Sequence, residues 1–383
     1  MGVYLFGLGI SAALRSQGDF AIYYLAGQRA AHHAALYPET DSSRFLYAPV
    51  FAIAFVPFGK MALGAAQSAW FVLNAVALLA LIAGSGRLLF DDRRLPASLI
   101  VVPLLLVSRF VNNNVEHGQI NLCALALIVW SIATAERHQP AASGLMLATA
   151  ILIKPFGLLA ALYLTLSKRV SPLLWTGLWI AVLLALPIAF FGLSSAIAET
   201  TSYIRAAASM SVRYHTMLTN QSSTSAAIRL LSAASGEPHA FLIGAGFEFV
   251  LMAGVSCWIM RSGDPGSRNG RLALCGLFCI MPSLAPVSWK SYYASLLPPY
   301  MALVSLLWTH RSREAGSPAL ARTLVGLSVL MNMVSGTFNH WALFYSFHFL
   351  SSLVVLSALI AASFLGPNHP ACWQRPASSA SLG

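Results

Sequence analysis

Charge is what this sequence has least of. Only 9% of its 383 residues are Asp, Glu, Lys or Arg, against roughly 25% in a soluble domain. Meanwhile 57% are hydrophobic and the mean hydropathy is +0.71. Such a chain cannot present a charged surface to water on all sides, so the composition predicts an all-α, polytopic integral membrane protein. Cysteine is also scarce. Cys123, Cys257, Cys275, Cys279 and Cys372 form no Cys-x-x-Cys pair, and four of the five sit in apolar runs as small apolar fillers. The chain has no Walker loop, no Gly-x-Gly-x-x-Gly after a strand and no Asp-x-Asp of the kind that holds a metal on a nucleotide diphosphate. His32-His33 is the one pair that invites a metal. Adjacent helical residues point about 100° apart, and no carboxylate is spaced to complete a site. Neither a metal nor a cofactor is expected.

The formal charge of +11 would suggest nucleic acid in a soluble protein. Here the Lys and Arg lie in short loops between apolar runs, which points to membrane topology and anionic headgroups and away from nucleic acid. Apolar runs fall at 3–14, 46–59, 67–90, 95–110, 118–135, 141–166, 171–191, 238–260, 271–286, 292–309, 318–337 and 341–365, giving about twelve segments, several of them short. The first, Val3 to Leu14, falls short of the roughly 20 residues a spanning helix needs. It is expected either to be truncated by a mis-assigned start, the preferred reading, or to be completed in the interface by Arg15 to Phe20. The loops Arg261 to Arg271 and Arg311 to Arg322, the pair Lys168-Arg169, Arg137 and the cluster Asp91-Asp92-Arg93-Arg94 should be cytoplasmic. Simple alternation of twelve full helices does not put all of them inside. One resolution is that 141–166 is broken at Lys154-Pro155, where proline removes helical hydrogen bonding and a cavity must take up the freed groups. Residues 1–365 then read as a single membrane domain with two external polar stretches, 15–45 and 192–238. Residues 366–383, rich in Pro, Ser and Ala, read as a disordered tail.

The stretch from Gly18 to Pro49 is polar, aromatic and His-bearing between apolar flanks. Asp19 stands at the mouth of the first apolar run, and Phe20, Tyr23, Tyr24 and Gly27 follow at helical spacing. A long loop that begins with a carboxylate at the membrane face is a natural place for chemistry. The other carboxylates sort by position. Asp91, Asp92, Glu136, Asp264 and Glu314 read as solvated groups in cytoplasmic loops; Glu39, Asp41, Glu199 and Glu237 read as surface groups or caps. Glu248 lies mid-run, where the preferred reading is a hydrogen-bonded Glu facing another helix. Glu116 belongs to the densest polar cluster, Asn112-Asn113-Asn114-Val115-Glu116-His117-Gly118-Gln119, either an ordinary turn or a surface for sugar hydroxyls. Lys154, one of four Lys in the chain, is the one set in apolar sequence. It needs an anionic partner, either a carboxylate or a lipid phosphate.

The ordered set Asp19, Tyr47-Ala48-Pro49, Gly118-Gln119-Ile120-Asn121, Ile153-Lys154-Pro155, Asn220-Gln221-Ser222 and Ser288-Trp289 resembles the polyprenyl-phosphate-dependent glycosyltransferases of GT-C fold. It looks most like glycosyltransferase family 87, the alpha-mannosyltransferase group, over the chain up to about Pro299. One departure is that the family pattern carries a His shortly after the Trp, where this chain has Lys290-Ser291-Tyr292-Tyr293.

The resemblance implies a hexosyltransferase of the plasma (inner) membrane with its site on the extracytoplasmic side. It would move a hexose, mannose first, from a polyprenyl-phosphate donor to a glycolipid or cell-envelope glycan acceptor, with inversion at the sugar carbon. Asp19 would be the general base, and Lys154, with Lys290 and Arg213, would meet the phosphate. Gln119 and Asn121 would shape the sugar pocket, with Tyr23, Tyr24, Glu116, His117, Asn220, Gln221 and Trp289 as further sugar or acceptor contacts. The alternative is a transporter or flippase of polyprenyl-linked sugars. It predicts inverted repeats, which the sequence lacks, and mid-membrane carboxylates, of which Glu248 is the one candidate.

Overall fold

The computed structural model describes residues 18–38, 45–91, 95–309, 317–335 and 339–364. The first apolar run, the C-terminal tail and the Arg311 to Glu314 segment fall outside the described residues, as does the side chain of Arg213. Among the described residues the regular structure is helical, without strands. In chain order the helices are α1 Gly18–Ala31, α2 Pro49–Ala54, α3 Val56–Gly59, α4 Leu63–Phe90, α5 Ser98–Glu116, α6 Asn121–Glu136, α7 Pro140–Ile153, α8 Leu158–Leu166 and α9 Val170–Phe191. They continue as α10 Leu193–Tyr214, α11 Ser223–Ser235, α12 Glu237–Arg261, α13 Arg268–Ile280, α14 Leu297–Thr309, α15 Ser317–Val334, α16 His340–Phe344 and α17 Phe347–Ser363. Two 3₁₀ turns, Pro155–Gly157 and Lys290–Leu296, interrupt them.

Among the described residues four helices, α4, α5, α9 and α12, are long and apolar enough to cross a bilayer, and shorter apolar helices accompany them. The chain is therefore an all-α, polytopic membrane protein, as its composition predicts. The run 46–59 is not one of the spans. It forms α2 and α3, of six and four residues, about 9 and 6 Å long at 1.5 Å per residue. Pro57 has no N–H to donate and ends the α2 ladder.

The run 141–166 is broken where proline predicts. α7 stops at Ile153, and Lys154 is extended at φ −146°, ψ 125°. Pro155 causes this, because its ring excludes the helical region for the residue before it.

The chain divides into two compact units: residues 1–81, 110–161 and 169–214, and residues 82–109, 162–168 and 215–383. In the first, α7 packs between α6 and α9, and α1 lies against α2 and α3. Its core is aromatic. Phe20 and Tyr23 from α1, Phe51 from α2, Phe55 and Trp70 are all buried. Phe20 stacks on Trp70 at 5.7 Å and Tyr23 meets Phe55 edge-on at 5.3 Å. Such pairs contribute about 0.5–1.5 kcal/mol each beyond the area they bury.

In the second unit α11 packs on α12, α15 on α17, and α13 on α17. Serine, asparagine and histidine line the α15–α17 seam. Ser328 Oγ meets Ser351 Oγ at 2.8 Å, and Ser335 Oγ meets His348 Nε2 at 3.1 Å. Polar pairs of this kind hold helices together where lipid offers no hydrophobic drive. Two carboxylates find partners here. Ser223 Oγ donates to Glu248 Oε1 at 2.5 Å, the hydrogen-bonded reading of Glu248. Asp91 is not simply solvated, since its Oδ2 pairs with the buried Arg271 at 2.5 Å.

Candidate active site

Asp19 is placed by backbone geometry on both sides. α1 begins at Gly18, and a side chain there would collide with the His117 carbonyl. The turn that receives it holds Gly118 at φ +59°, where a Cβ would come within 2.6 Å of the Phe20 Cβ. Only glycine permits both the left-handed conformation and this approach. The Asp19 N–H can therefore donate to the His117 carbonyl at 2.8 Å. Trp70 Nε1 donates to the Gly118 carbonyl at 2.9 Å, locking the same turn to α4. The start of α1 is thus clamped against the α5–α6 turn, and Asp19 stands in the first helical turn, where a negative charge is favoured.

The Asp19 side chain is half-buried. Burial pushes its carboxyl above the ordinary aspartate value, and Lys154, His117 and a hydrogen bond from the Gln119 side chain pull the other way. Lys154 reaches this neighbourhood because the helix breaks at Pro155. Its Nζ lies 5.3 Å from the centre of the Tyr47 ring, a cation–π arrangement. Lys154 is half-exposed and acts on the charge of the Asp19 carboxyl.

The remaining candidates of this unit differ in exposure. His117 is exposed, and its ring Nδ1 lies 3.0 Å from the Asn113 carbonyl. Glu116 is half-buried and accepts from Asn112 Nδ2 at 2.5 Å. Tyr24 is half-exposed and donates to the Met61 carbonyl at 2.8 Å. Tyr23 departs from the expectation of a sugar-stacking surface. It is 1% exposed, packed in the aromatic core, with its hydroxyl 2.8 Å from that of Tyr47. Gln119 and Asn121 are buried as well, and Asn121 Nδ2 donates to Gln119 Oε1 at 2.8 Å. Neither presents an open wall for a sugar. Glu199 accepts from the Leu36 N–H in the loop after α1 at 3.2 Å.

His32 and His33 lie in the turn after α1, and His33 stacks on Phe190 at 5.4 Å. Among the described residues no three His, Cys, Asp or Glu side chains group as metal ligands.

Asn220, Gln221, Trp289 and Lys290 belong to the second unit. Asn220 is fully buried, accepting from the backbone N–H of Ser222 at 3.1 Å and of Ser288 at 2.9 Å, and donating to the Pro286 carbonyl at 3.1 Å. Gln221 donates to the Leu218 and Leu343 carbonyls at 2.7 and 3.1 Å. Their side chains bind backbone and latch one loop onto another. Arg229, which nothing in the sequence set apart from its neighbours, completes this latch through the Met217 and Asn220 carbonyls at 2.9 and 2.7 Å. Trp289 and Lys290 are half-exposed.

Comparison with known proteins gives the chain a family. No solved structure matches the chain. A polyprenol-phosphate-mannose-dependent alpha-(1-2)-phosphatidylinositol mannoside mannosyltransferase of Mycolicibacterium smegmatis is 26% identical over 309 residues, 74% of this chain and 67% of the relative. Its counterpart in Mycobacterium tuberculosis is 27% identical over 299 residues, 72% of this chain and 66% of the relative. The chain thus spans about two thirds of the length of the curated relatives it matches. The family model of glycosyltransferase family 87 matches residues 45–286, from the aromatic stretch that packs on α1 through the Asn220 latch, and the chain belongs to that family.

Proposed function

We propose that this protein is a membrane mannosyltransferase that uses a polyprenyl-phosphate mannose donor and a glycolipid or cell-envelope glycan acceptor. Support for the donor and for a glycolipid acceptor comes from the names of the two relatives. The observation that carries the chemistry is the half-buried Asp19 at the start of α1, with Lys154 acting on its charge.

In the proposed step an acceptor hydroxyl oxygen attacks the anomeric carbon. The new C–O bond forms as the bond from that carbon to the phosphate oxygen breaks, and the electron pair leaves with the polyprenyl phosphate. The hydroxyl proton passes to Asp19, which must be ionised to take it. Attack from the face opposite the phosphate inverts the anomeric centre. Lys154 meets the charge that builds on the leaving phosphate, while His117 and Tyr24 stand at the exposed rim for acceptor contacts. The reaction is read as extracytoplasmic at the plasma membrane, the side that the family resemblance implies.

The test is product formation by purified protein in nanodiscs, with a panel of polyprenyl-phosphate sugars and glycolipid acceptors. Mannosyl transfer from the polyprenyl-phosphate donor is the expected result. No transfer with any of these donors, together with transfer from a nucleotide sugar, would overturn the donor assignment.

A further inference from the structure

We propose that Gln119 and Asn121 are a positioning relay behind Asp19: Asn121 holds the Gln119 carboxamide so that its NH₂ faces the carboxylate, leaving one carboxylate oxygen directed to the acceptor hydroxyl. This rests on the reading of Asp19 as the general base.

The geometry sets the direction of the relay. A glutamine amide has one oxygen that accepts and one NH₂ that donates. Asn121 Nδ2 donates to Gln119 Oε1 at 2.8 Å, which commits the oxygen. Only Nε2 remains to bond Asp19, whose carboxyl the Gln119 side chain does hydrogen-bond. The reversed amide would turn its oxygen on an ionised carboxylate and its NH₂ on the Asn121 donor, both unfavourable.

The relay is buried, and the Gln119 backbone is held from both sides. Gln119 is 7% exposed and Asn121 1%, so water does not compete for these bonds. The Gln119 N–H donates to the Asn114 carbonyl at 2.9 Å, and the Gln119 carbonyl accepts from Asn114 Nδ2 at 3.1 Å. Asn114 Nδ2 also donates to Asn74 Oδ1 at 3.1 Å, and Asn74 Nδ2 to the Trp70 carbonyl at 3.1 Å. Buried hydrogen bonds of this kind restrict how Gln119 can sit. Asn121 is the first residue of α6, so helix geometry fixes its direction.

The arrangement has a chemical use. A carboxylate free to rotate offers the incoming hydroxyl either oxygen at a range of angles, and small misplacements are expensive in transfer reactions. One oxygen held by Nε2 leaves the other in a fixed direction.

The titratable groups that act on Asp19 are Lys154, from the break after α7, and His117, just after α5. α2 and α3, packed along α1, contain no ionisable side chain. Removing the Gln119 donor therefore leaves burial opposed by Lys154 and His117 alone, and the acid limb of the pH–rate profile should move to higher pH.

The experiment is a kcat and KM series against pH on the full chain in nanodiscs, with a polyprenyl-phosphate mannose donor and a phosphatidylinositol mannoside acceptor. Gln119→Met should lower kcat about ten- to hundredfold, move the acid limb upward, and leave both KM values within about twofold. Asn121→Leu should shift the limb the same way by less. In the Gln119→Met background it should change nothing further, because residues that act in series are not additive. A loss confined to donor or acceptor KM would return both residues to the sugar pocket and overturn the relay, as would additive losses in the double variant. If Asn121→Leu yields no folded protein, Asn121→Ala takes its place, and Gln119→Met tests the relay by itself through the pH limb. Asp19→Asn separates the two readings. If it turns over like the wild type, the base assignment fails and the relay with it. If it is inactive while Gln119→Met keeps both kcat and the limb, the relay alone fails.

Discussion

Replacing Asp19 by Asn should abolish turnover while making the protein no less stable. The substitution keeps the shape. The backbone N–H still donates to the His117 carbonyl at 2.8 Å, and the new carboxamide oxygen can still accept from Gln119. Basicity and charge are what it removes. General-base catalysis contributes about 10²–10⁴-fold, or about 3–5.5 kcal/mol at 1.36 kcal/mol per decade. Turnover should fall by that much, with a residual rate from positioning and with donor binding retained.

Stability should respond in the opposite direction. Burial outweighs Lys154, His117 and Gln119 and raises the Asp19 carboxyl above its unfolded value, so the folded state binds the proton more tightly than the unfolded one. The stability contributed by Asp19 is fully present below the unfolded value and is lost as pH rises through the folded value. At neutral pH the wild type carries that loss and the Asn variant does not. The variant should therefore unfold at the same temperature or higher at pH 7, and its advantage should disappear in acid. The assays are mannosyl transfer in nanodiscs and thermal unfolding at two pH values. Near-wild-type transfer by Asp19→Asn, with loss in Glu116→Gln, would hand the role to Glu116 and refute the reasoning.

Lys154→Ala should raise donor KM or lower kcat by a factor corresponding to about 1.5–3 kcal/mol, barely move acceptor KM, and shift the acid limb upward because a cation that lowers the Asp19 carboxyl is gone. An effect on acceptor KM alone would contradict its assignment to the donor. Transfer should survive EDTA, since the proposed leaving group is a monophosphate that cations can meet; activity lost to chelation and restored by magnesium or manganese would show a different donor. Asn220→Ala should destabilise the fold by about 1–3 kcal/mol by orphaning the Ser222 and Ser288 N–H groups, seen as a lower Tm with unchanged KM. Gly118→Ala should impair folding through the left-handed φ and the clash with Phe20, so its expression and Tm should fall below those of Gly64→Ala, where a Cβ meets nothing.

What the sequence determined by itself is whatever depends on composition or on immediate neighbours. Scarcity of charge over long apolar runs decides the membrane class, because lipid penalises any other composition. Pro155 decides the break at Lys154 through a clash with the adjacent residue. Asp19 stands out as a candidate in the sequence because a carboxylate at the end of an apolar run is costly enough to ask for a reason. Tertiary structure alone decided what the polar and aromatic candidates do. Tyr23 has the residue type of a sugar-stacking wall, yet Phe51, Phe55 and Trp70 close over it. Asn220 and Gln221 have the chemistry of sugar ligands, yet the Asn220 amide bonds backbone N–H and carbonyl groups and the Gln221 NH₂ donates to carbonyls up to 122 positions away. Gln119 and Asn121 lie two positions apart in sequence, but the bonds that hold the Gln119 carbonyl in place come from Asn114, itself tied to Asn74 and through it to Trp70. An amide side chain donates and accepts equally well in a pocket wall and in a core. Which of the two it occupies depends on contacts between distant segments, and no local rule encodes them.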